Sequence, residues 1–523
     1  MRATEHKNSC GLVAKVPAPV YSNAWPWYGL GILIYAGIFW FWQVEPVPTE
    51  VYAAGILLWA VALAPLAVWY QRGRKGVPIF ELICLAYGLS YGPTIYLAPN
   101  EILILSQQVR LPWLATMQCV FLATLGLGLL ITGYYLMLYL LGRTGFPRMD
   151  LPLVGGARGS YIHVALAIGL SANLFIAVVG SGGSAYGAIL NALAGQLNIG
   201  LVLLAYEVFA ARESDGGRLT LLSVCAGVGV MLGLIGGTLE GVVLPLVLVF
   251  IVRWHVRRKF PAVLAAAVAM LFLALNPLKH EFRERAWYGE LNEGGVTARL
   301  GIWVQLAQER LRGERDGLTE GPGGFSQSVQ RVDLLHKFVH VKTLTPGEVP
   351  FLDGVSYQYM VYTYIPRFLW AEKPVVTEAT DLVDFAYGFR SPLEENKGTK
   401  IAIGQIAEAY ANLGIIGIVI VMLVQGILFA VLNHLLNGPN SVGGRAIYLA
   451  TMVAFLNGIG TSAVILFGAM FQFVVASALL MRLFASGFTT TPAGTTNATP
   501  QRPRQLRVKR HRRNLAVARS PDA

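Results

Sequence analysis

Residues 351–374 read FLDGVSYQYMVYTYIPRFLWAEKP, and residues 399–417 read TKIAIGQIAEAYANLGIIG. An aromatic, basic segment therefore leads through a polar stretch into an apolar helix. On a 3.6-residue period Gln405, Glu408, Asn412 and Ile415 share one face of that helix. A carboxylate at membrane depth is expensive to hold, so such a group ordinarily has a task. At 1.5 Å per residue Glu408 is expected roughly 10 Å inside the start of its span.

Working outward, the composition places the whole chain in a membrane. Hydrophobic residues make up 55% of it and charged residues 13%, about half the roughly 25% of a soluble domain. The apolar stretches are long enough, as helices, to cross a ~30 Å hydrocarbon core. Spans are expected near 27–43, 51–70, 78–97, 113–141, 159–179, 185–210, 219–237, 239–252, 260–277, 402–435, 446–463 and 465–484. The expected class is an all-α polytopic membrane protein of about twelve transmembrane helices. Residues 1–26 lack the apolar core of a signal peptide, so the first helix is expected to remain as an anchor. Cys84, Cys119 and Cys225 fall in apolar runs, Cys10 lies apart, and no C-x-x-C pair occurs. That pattern suits packing rather than a disulfide framework, a zinc site or a redox motif.

Lysine and arginine then set the orientation. Arg72, Arg74 and Lys75, then Arg143, Arg148 and Arg158, then Arg212 and Arg218, then Arg253, Arg257, Arg258 and Lys259 fall in alternate connections. The connections between them hold only Arg110 within 43–50, 98–112 and 180–184. Cytoplasmic loops are enriched in these residues, so both termini are expected inside. The bundle of about nine helices over 27–277 is then followed by one large periplasmic loop, 278–401, with 15 Lys/Arg and 17 Asp/Glu in 278–400. About three further helices fill 402–484, and 485–523 is a basic tail expected to be disordered. The net charge of +12 lies on the inner side, where it fits topology and anionic membrane lipids better than nucleic acid.

The loop holds several chemically usable groups. Residues 279–290, KHEFRERAWYGE, alternate in charge and suit a solvated amphipathic helix at the membrane surface, or one in which Arg283 or Arg285 faces lipid phosphates or a lipid-linked substrate. Residues 326–341 have helical periodicity and place His336 and His340 four apart, with no H-E-x-x-H glutamate and no evident third ligand for a metal. His336 is read either as a general base or as an ordinary packing residue. In YIPRFLWAEKP, 364–374, two prolines bracket Arg367 and Lys373 and hold the backbone around them. Arginine offers a planar fork to phosphate and lysine a point charge. Trp370 and its aromatic neighbours suit stacking on sugar rings or an interfacial anchor equally. Glu408 suits a proton acceptor or a hydrogen-bonded tie between helices.

These residues resemble a bacterial O-antigen or exopolysaccharide polymerase of the Wzy type, a group related to the O-antigen ligases. IPRFLWAEKP at 365–374, followed by IGQIAEAYANLGIIG at 403–417, carries the likeness together with the late outer loop. Glu240–Gly241 stands where relatives often have an Arg-Gly pair. The resemblance implies a GT-C-like helical architecture and a metal-independent glycosyltransferase without a cofactor in the bacterial inner membrane. It implies a lipid-linked oligosaccharide as substrate, carried on undecaprenyl diphosphate, with a flippase and a chain-length regulator as candidate partners. On that chemistry Arg367 is the principal diphosphate ligand, supported by Arg331 and Lys373. Glu408 is the expected general base, with His336 the alternative, and Tyr410, Asn412 and Trp370 hold the sugar. An O-antigen ligase, a polysaccharide transporter or flippase, and a non-catalytic membrane subunit remain alternatives.

Overall fold

The computed structural model describes residues 23–73, 76–105, 107–153, 156–179, 187–211, 215–288, 295–312, 333–365, 369–370, 372–390, 401, 403–438 and 441–487. Among them the chain is helical apart from turns and one hairpin, Glu101–Ile104 paired antiparallel with Gln107–Arg110. Eight helices are long and apolar enough to cross a membrane. They are Thr49–Gln71, Trp113–Thr144, Ala157–Val179, Gly187–Ala210, Gly216–Ile235, Leu239–Arg257, Gln405–Leu436 and Ala463–Phe484. Trp25–Phe41, Ala262–Leu275 and Val442–Asn457 are apolar but shorter. Large apolar side chains left uncovered on these helices, such as Phe41, Leu125, Val263 and Leu479, suit contact with lipid tails.

The stretch expected to span over 78–97 is instead a 13-residue helix, Ile79–Tyr91, followed by a separate turn at Thr94–Leu97. Proline at 93 has no N–H to continue the ladder, and thirteen residues reach only about 20 Å. The stretch over 185–210 is interrupted at Gly195, where a Cβ would lie 2.5 Å from the Phe473 ring. The last two spans meet at a turn over residues 458–462, so the first ends at Asn457 rather than near 463.

The connections sort into two ends of the bundle. At one, His255 Nδ1 meets the Gly76 carbonyl at 3.0 Å, Arg158 and Arg218 pair with Glu207 at 3.3 and 3.2 Å, and Ser441 Oγ accepts from Leu151 N at 3.0 Å. At the other, Val44 N donates to Tyr96 O at 2.8 Å, Asn100 N to Glu45 Oε1 at 2.7 Å, and Leu334 N to Ser90 O at 3.0 Å. The first set joins short segments rich in lysine and arginine, while the second joins short segments poor in them and ties them to the large mixed-charge loop. A satellite cluster extends the second end: Phe282 stacks on Trp303 at 4.5 Å, and Trp303 Nε1 donates to Leu234 O at 2.9 Å. There Arg285 forms a two-pronged pair with Glu309 at 3.1 Å and Arg283 reaches the Gly237 carbonyl at 3.4 Å, so both lean on protein.

Trp113–Thr144 and Gln405–Leu436 pack against each other along their length. Lipid tails are as apolar as leucine, so close backbone approach rather than hydrophobic burial holds such pairs. A Cβ on Gly426 would lie 2.2 Å from the Leu130 carbonyl, and one on Gly133 2.6 Å from that of Leu423. Gly426→Leu is therefore expected to destabilise the protein by about 3 kcal/mol or more, because backbone cannot move aside as a side chain can. Gly128→Leu on the same helix as Gly133, with open space beside it, should melt like the wild type. The comparison is read from melting of the detergent-solubilised proteins.

Candidate functional site

The helix over Gln405–Leu436 is in fact two. Leu413 (φ −138°, ψ 18°) and Gly414 (φ 62°, ψ −143°) leave helical geometry, and the positive φ at 414 is one that glycine adopts without cost. The chain reverses there. Tyr87 Oη donates to Gln405 Oε1 at 2.5 Å and accepts from Gln425 Nε2 at 2.9 Å. In a straight helix those glutamines would stand about 30 Å apart. A Cβ on Gly417 would also fall 2.1 Å from the Ala409 carbonyl. Residues 405–412 thus form a two-turn helix folded back along the span that follows. Its open carbonyls are satisfied by a distant segment: Leu352 N donates to Ala411 O at 3.0 Å and Asp353 N to Asn412 O at 3.1 Å. Gln405, Glu408 and Asn412 are all buried, whereas Ile415 is 53% exposed. The expected continuous face through Ile415 is thereby corrected.

Glu408 is bound on both oxygens. Oε2 accepts from Ala463 N at 2.7 Å, and Oε1 accepts from Ser462 Oγ at 2.9 Å and Ser356 Oγ at 3.3 Å. Ala463 opens the Ala463–Gly487 helix, and Ser462 Oγ also accepts from Val464 N at 3.3 Å. The carboxylate therefore sits on the positive end of that helix, where an anion is stabilised. Asn412 Nδ2 donates to Ser356 Oγ at 2.9 Å and to Glu408 O at 2.8 Å. Its Oδ1 is buried with no partner among the described residues.

His336 is arranged differently. It lies in the first turn of Leu335–Leu344, and its Nδ1 meets Asp333 Oδ2 at 2.8 Å. The other carboxylate oxygen, Oδ1, accepts from Leu335 N at 2.8 Å and His336 N at 3.3 Å, so Asp333 holds both the helix start and the ring. His336 Nε2 is buried and has no partner among the described residues. Burial alone would lower the His336 pKa, but the Asp333 carboxylate, with Glu45 and Glu101 beyond it, raises it above the ordinary value. Burial works against the Asp333 charge, which the His336 ring and Lys337 nonetheless hold below its usual pKa. His340 turns elsewhere, its Nε2 on the Tyr387 carbonyl at 2.9 Å. Among the described residues no group of three or more His, Cys, Asp or Glu is placed to hold a metal.

Of the expected phosphate ligands, Arg331 and Arg367 lie outside the described residues. Lys373 Nζ donates to the carbonyls of Tyr362 at 3.1 Å and Ile365 at 2.7 Å, fastening the end of the Val355–Thr363 helix. Trp370 is 38% exposed and meets Tyr362 edge-on at 5.4 Å. Tyr410 packs edge-on between Phe338 at 5.6 Å and Phe351 at 6.2 Å. Three short helices, 335–344, 355–363 and 405–412, thus gather His336, Ser356, Glu408, Tyr410 and Asn412 at the end where the large mixed-charge loop lies. Asp333, Ser356 and Ser462 had no role in the sequence reading. Asp333 had a legible signal, an acceptor just ahead of a helix start, while the two serines sit at no diagnostic spacing.

A second polar knot lies beside it. Asp384 Oδ2 accepts from Ile401 N at 2.8 Å, its carbonyl accepts from Phe389 N at 2.8 Å, and Arg390 pairs with Asp381 at 2.7 Å. Burial pushes the Asp384 carboxyl from 3.8 up to about 7, against the pull of the Ile401 N–H and Arg390. An acid raised on folding binds more protons folded than unfolded between those values. Stability should then fall as pH rises from about 4 to about 7. Asp384→Asn is expected to flatten the melting temperature across that window, and an unchanged slope would contradict the assignment.

The architecture defines a polytopic, all-α membrane protein. Residues 172–487 match a family described as a domain of unknown function, DUF8712, and the chain belongs to that family. The matched stretch contains His336, Lys373, Glu408, Tyr410 and Asn412. No curated protein and no solved structure matches the chain.

Proposed function

We propose that this protein is a polysaccharide polymerase of the bacterial inner membrane, with about twelve spans, both termini cytoplasmic and the site at the periplasmic end. It joins oligosaccharide repeat units carried on undecaprenyl diphosphate. A sugar hydroxyl of one unit attacks the anomeric carbon of another, a new glycosidic C–O bond forms, and the C–O bond to the diphosphate breaks. The hydroxyl proton passes to a base and the lipid diphosphate departs with its charge met by cations.

The observation that carries the reading is the Asp333–His336 pair, set against the two-turn helix that holds half of the sequence likeness. His336 Nδ1 is held by a carboxylate and Nε2 is uncommitted among the described residues, the arrangement of a base with its orienting partner. Glu408 has no such freedom, since both oxygens serve the Ala463 helix. We therefore assign the base to His336 and a positioning role to Glu408, which holds the short helix carrying Tyr410 and Asn412. Arg367 and Arg331 are the proposed diphosphate ligands, while Lys373 fastens the end of the Val355–Thr363 helix. Polar groups within the membrane favour this reading over transport, because they tie helices together. Gln196, for example, bonds Ser477 at 2.9 Å and Tyr161 at 3.3 Å.

The glycan profile of a deletion strain tests it. Surface glycan reduced to single repeat units supports polymerisation, accumulated lipid-linked polymer would indicate a ligase, and an unchanged profile would dismiss both.

A further inference from the structure

The two ends of the Val355–Thr363 helix are fixed at different levels along the Ala463–Gly487 helix. Ser356 Oγ shares the Glu408 carboxylate with Ser462 Oγ, just ahead of that long helix. Thr363 O accepts from Gln472 Nε2 at 2.8 Å, and a Cβ on Gly468 would lie 2.4 Å from the Thr363 side chain. The short helix therefore runs down beside the long one. From Ala463 to Gln472 the long helix descends about 14 Å, and from Gln472 to Met481 about 14 Å more. Met481 stands at the basic end, where a Cβ on Gly443 would meet its sulfur. Thr363 thus lies close to the middle of the span. We infer that residues 355–364 are a re-entrant element, which enters the membrane from the end where the large loop lies and presents one face to the acyl chains of the bilayer.

Hydrogen bonds at its lower end carry this assignment. A helix end in water can leave its last carbonyls to solvent, but in hydrocarbon each must find a donor within the protein. Here Gln472 donates to Thr363 O, and Lys373 Nζ donates to Tyr362 O at 3.1 Å and Ile365 O at 2.7 Å. Thr363 Oγ1 donates in turn to Tyr359 O at 3.0 Å. An ammonium at membrane depth is ordinarily held by such backbone carbonyls.

The side chains left uncovered there suit lipid. Val361 is 62% exposed and Leu369 70%, with Tyr364 also exposed. Tyr364 meets Phe471 edge-on at 4.9 Å. Phe471 heads a stripe with Val475 and Leu479, all exposed at helical spacing on one side of the long helix. The short helix continues that lipid-facing surface, so bilayer acyl chains are its occupant rather than water or a protein partner. Val361 is five residues from Ser356, which brings hydrocarbon within about 8 Å of the helix turn that bonds Glu408. This seating is independent of the reaction assigned to the site.

Photolabelling of the full wild-type chain tests it. The purified protein is reconstituted, without glycan substrate, in phosphatidylcholine bearing a diazirine midway along one acyl chain, and adducts are mapped by peptide mass spectrometry. Val361, Tyr364 or Leu369 should carry adducts within about threefold of those on Phe471 and Leu479, since all sit in the same hydrocarbon layer. Glu348, exposed in the turn after the Leu335–Leu344 helix, should carry about tenfold fewer, because the probe is confined to that layer. Val361, Tyr364 and Leu369 without adducts, while Phe471 and Leu479 are labelled, would overturn the re-entrant seating. Oxidation of Tyr364 by hydroxyl radicals from the aqueous phase, as fast as that of tyrosine in solution, would overturn it equally.

Discussion

Replacing His336 with glutamine is expected to slow polymer formation by about 10²–10⁴-fold, the usual effect of removing a positioned base. Glutamine is of similar reach and neutral, so the helix over 335–344 should fold and protein yield should hold. The raised His336 pKa adds a pH signature. Only the neutral ring can take a proton, so the wild-type rate should fall with acid, with an inflection above the ordinary histidine value of about 6.5. Asp333→Asn removes the carboxylate that raises it and should move the inflection down. Stability runs the other way. A histidine raised on folding contributes stability in full below its unfolded pKa, and loses it as pH rises through the folded one. Activity and this part of stability should therefore trade places across the same window. A polymerisation rate in His336→Gln equal to the wild type, at matched expression, would remove the base.

Replacing Glu408 with leucine should do its damage through folding. It leaves Ser356 Oγ, Ser462 Oγ and Ala463 N without their acceptor in a buried site. Each stranded donor costs about 1–3 kcal/mol, so a loss of several kcal/mol and poor yield are expected. Glu408→Gln keeps the shape and one acceptor oxygen but turns an amide N–H₂ toward groups that donate. It should lower the melting temperature by less, while the rate per folded molecule stays within a few-fold of the wild type. A stable Glu408→Gln protein with no polymer formation would instead return the proton-accepting role to Glu408.

Much of the fold is legible in the sequence because membrane helices are written in long apolar runs. Of the expected spans, eight are helices long and apolar enough to cross a membrane and three are shorter apolar helices, and the basic short connections collect at the end opposite the large loop. What escapes hydropathy is backbone geometry. Residues 405–436 read as one apolar run, yet Gly414 turns the chain back within it. The Asn-Leu-Gly at 412–414 is a helix-ending pattern that an apolar window averages away. Gly92–Pro93 likewise ends a helix inside an expected span. The site divides along the same line. Asp333 and His336 are neighbours three apart, so their pairing is written locally. The partners of Glu408 lie more than fifty residues away at Ser356 and Ser462, and no spacing rule connects them. Phenylalanines 338 and 351 enclose Tyr410 for the same reason, brought there by tertiary packing alone.

The most direct test uses the purified protein in lipid bilayers with undecaprenyl-diphosphate-linked repeat units as sole glycan source and no nucleotide sugar. Products are resolved by length. A ladder of polymers that shortens to single units in His336→Gln is the expected result. Repeat units left unjoined by folded wild-type protein, or joined only when a nucleotide sugar is added, would contradict it.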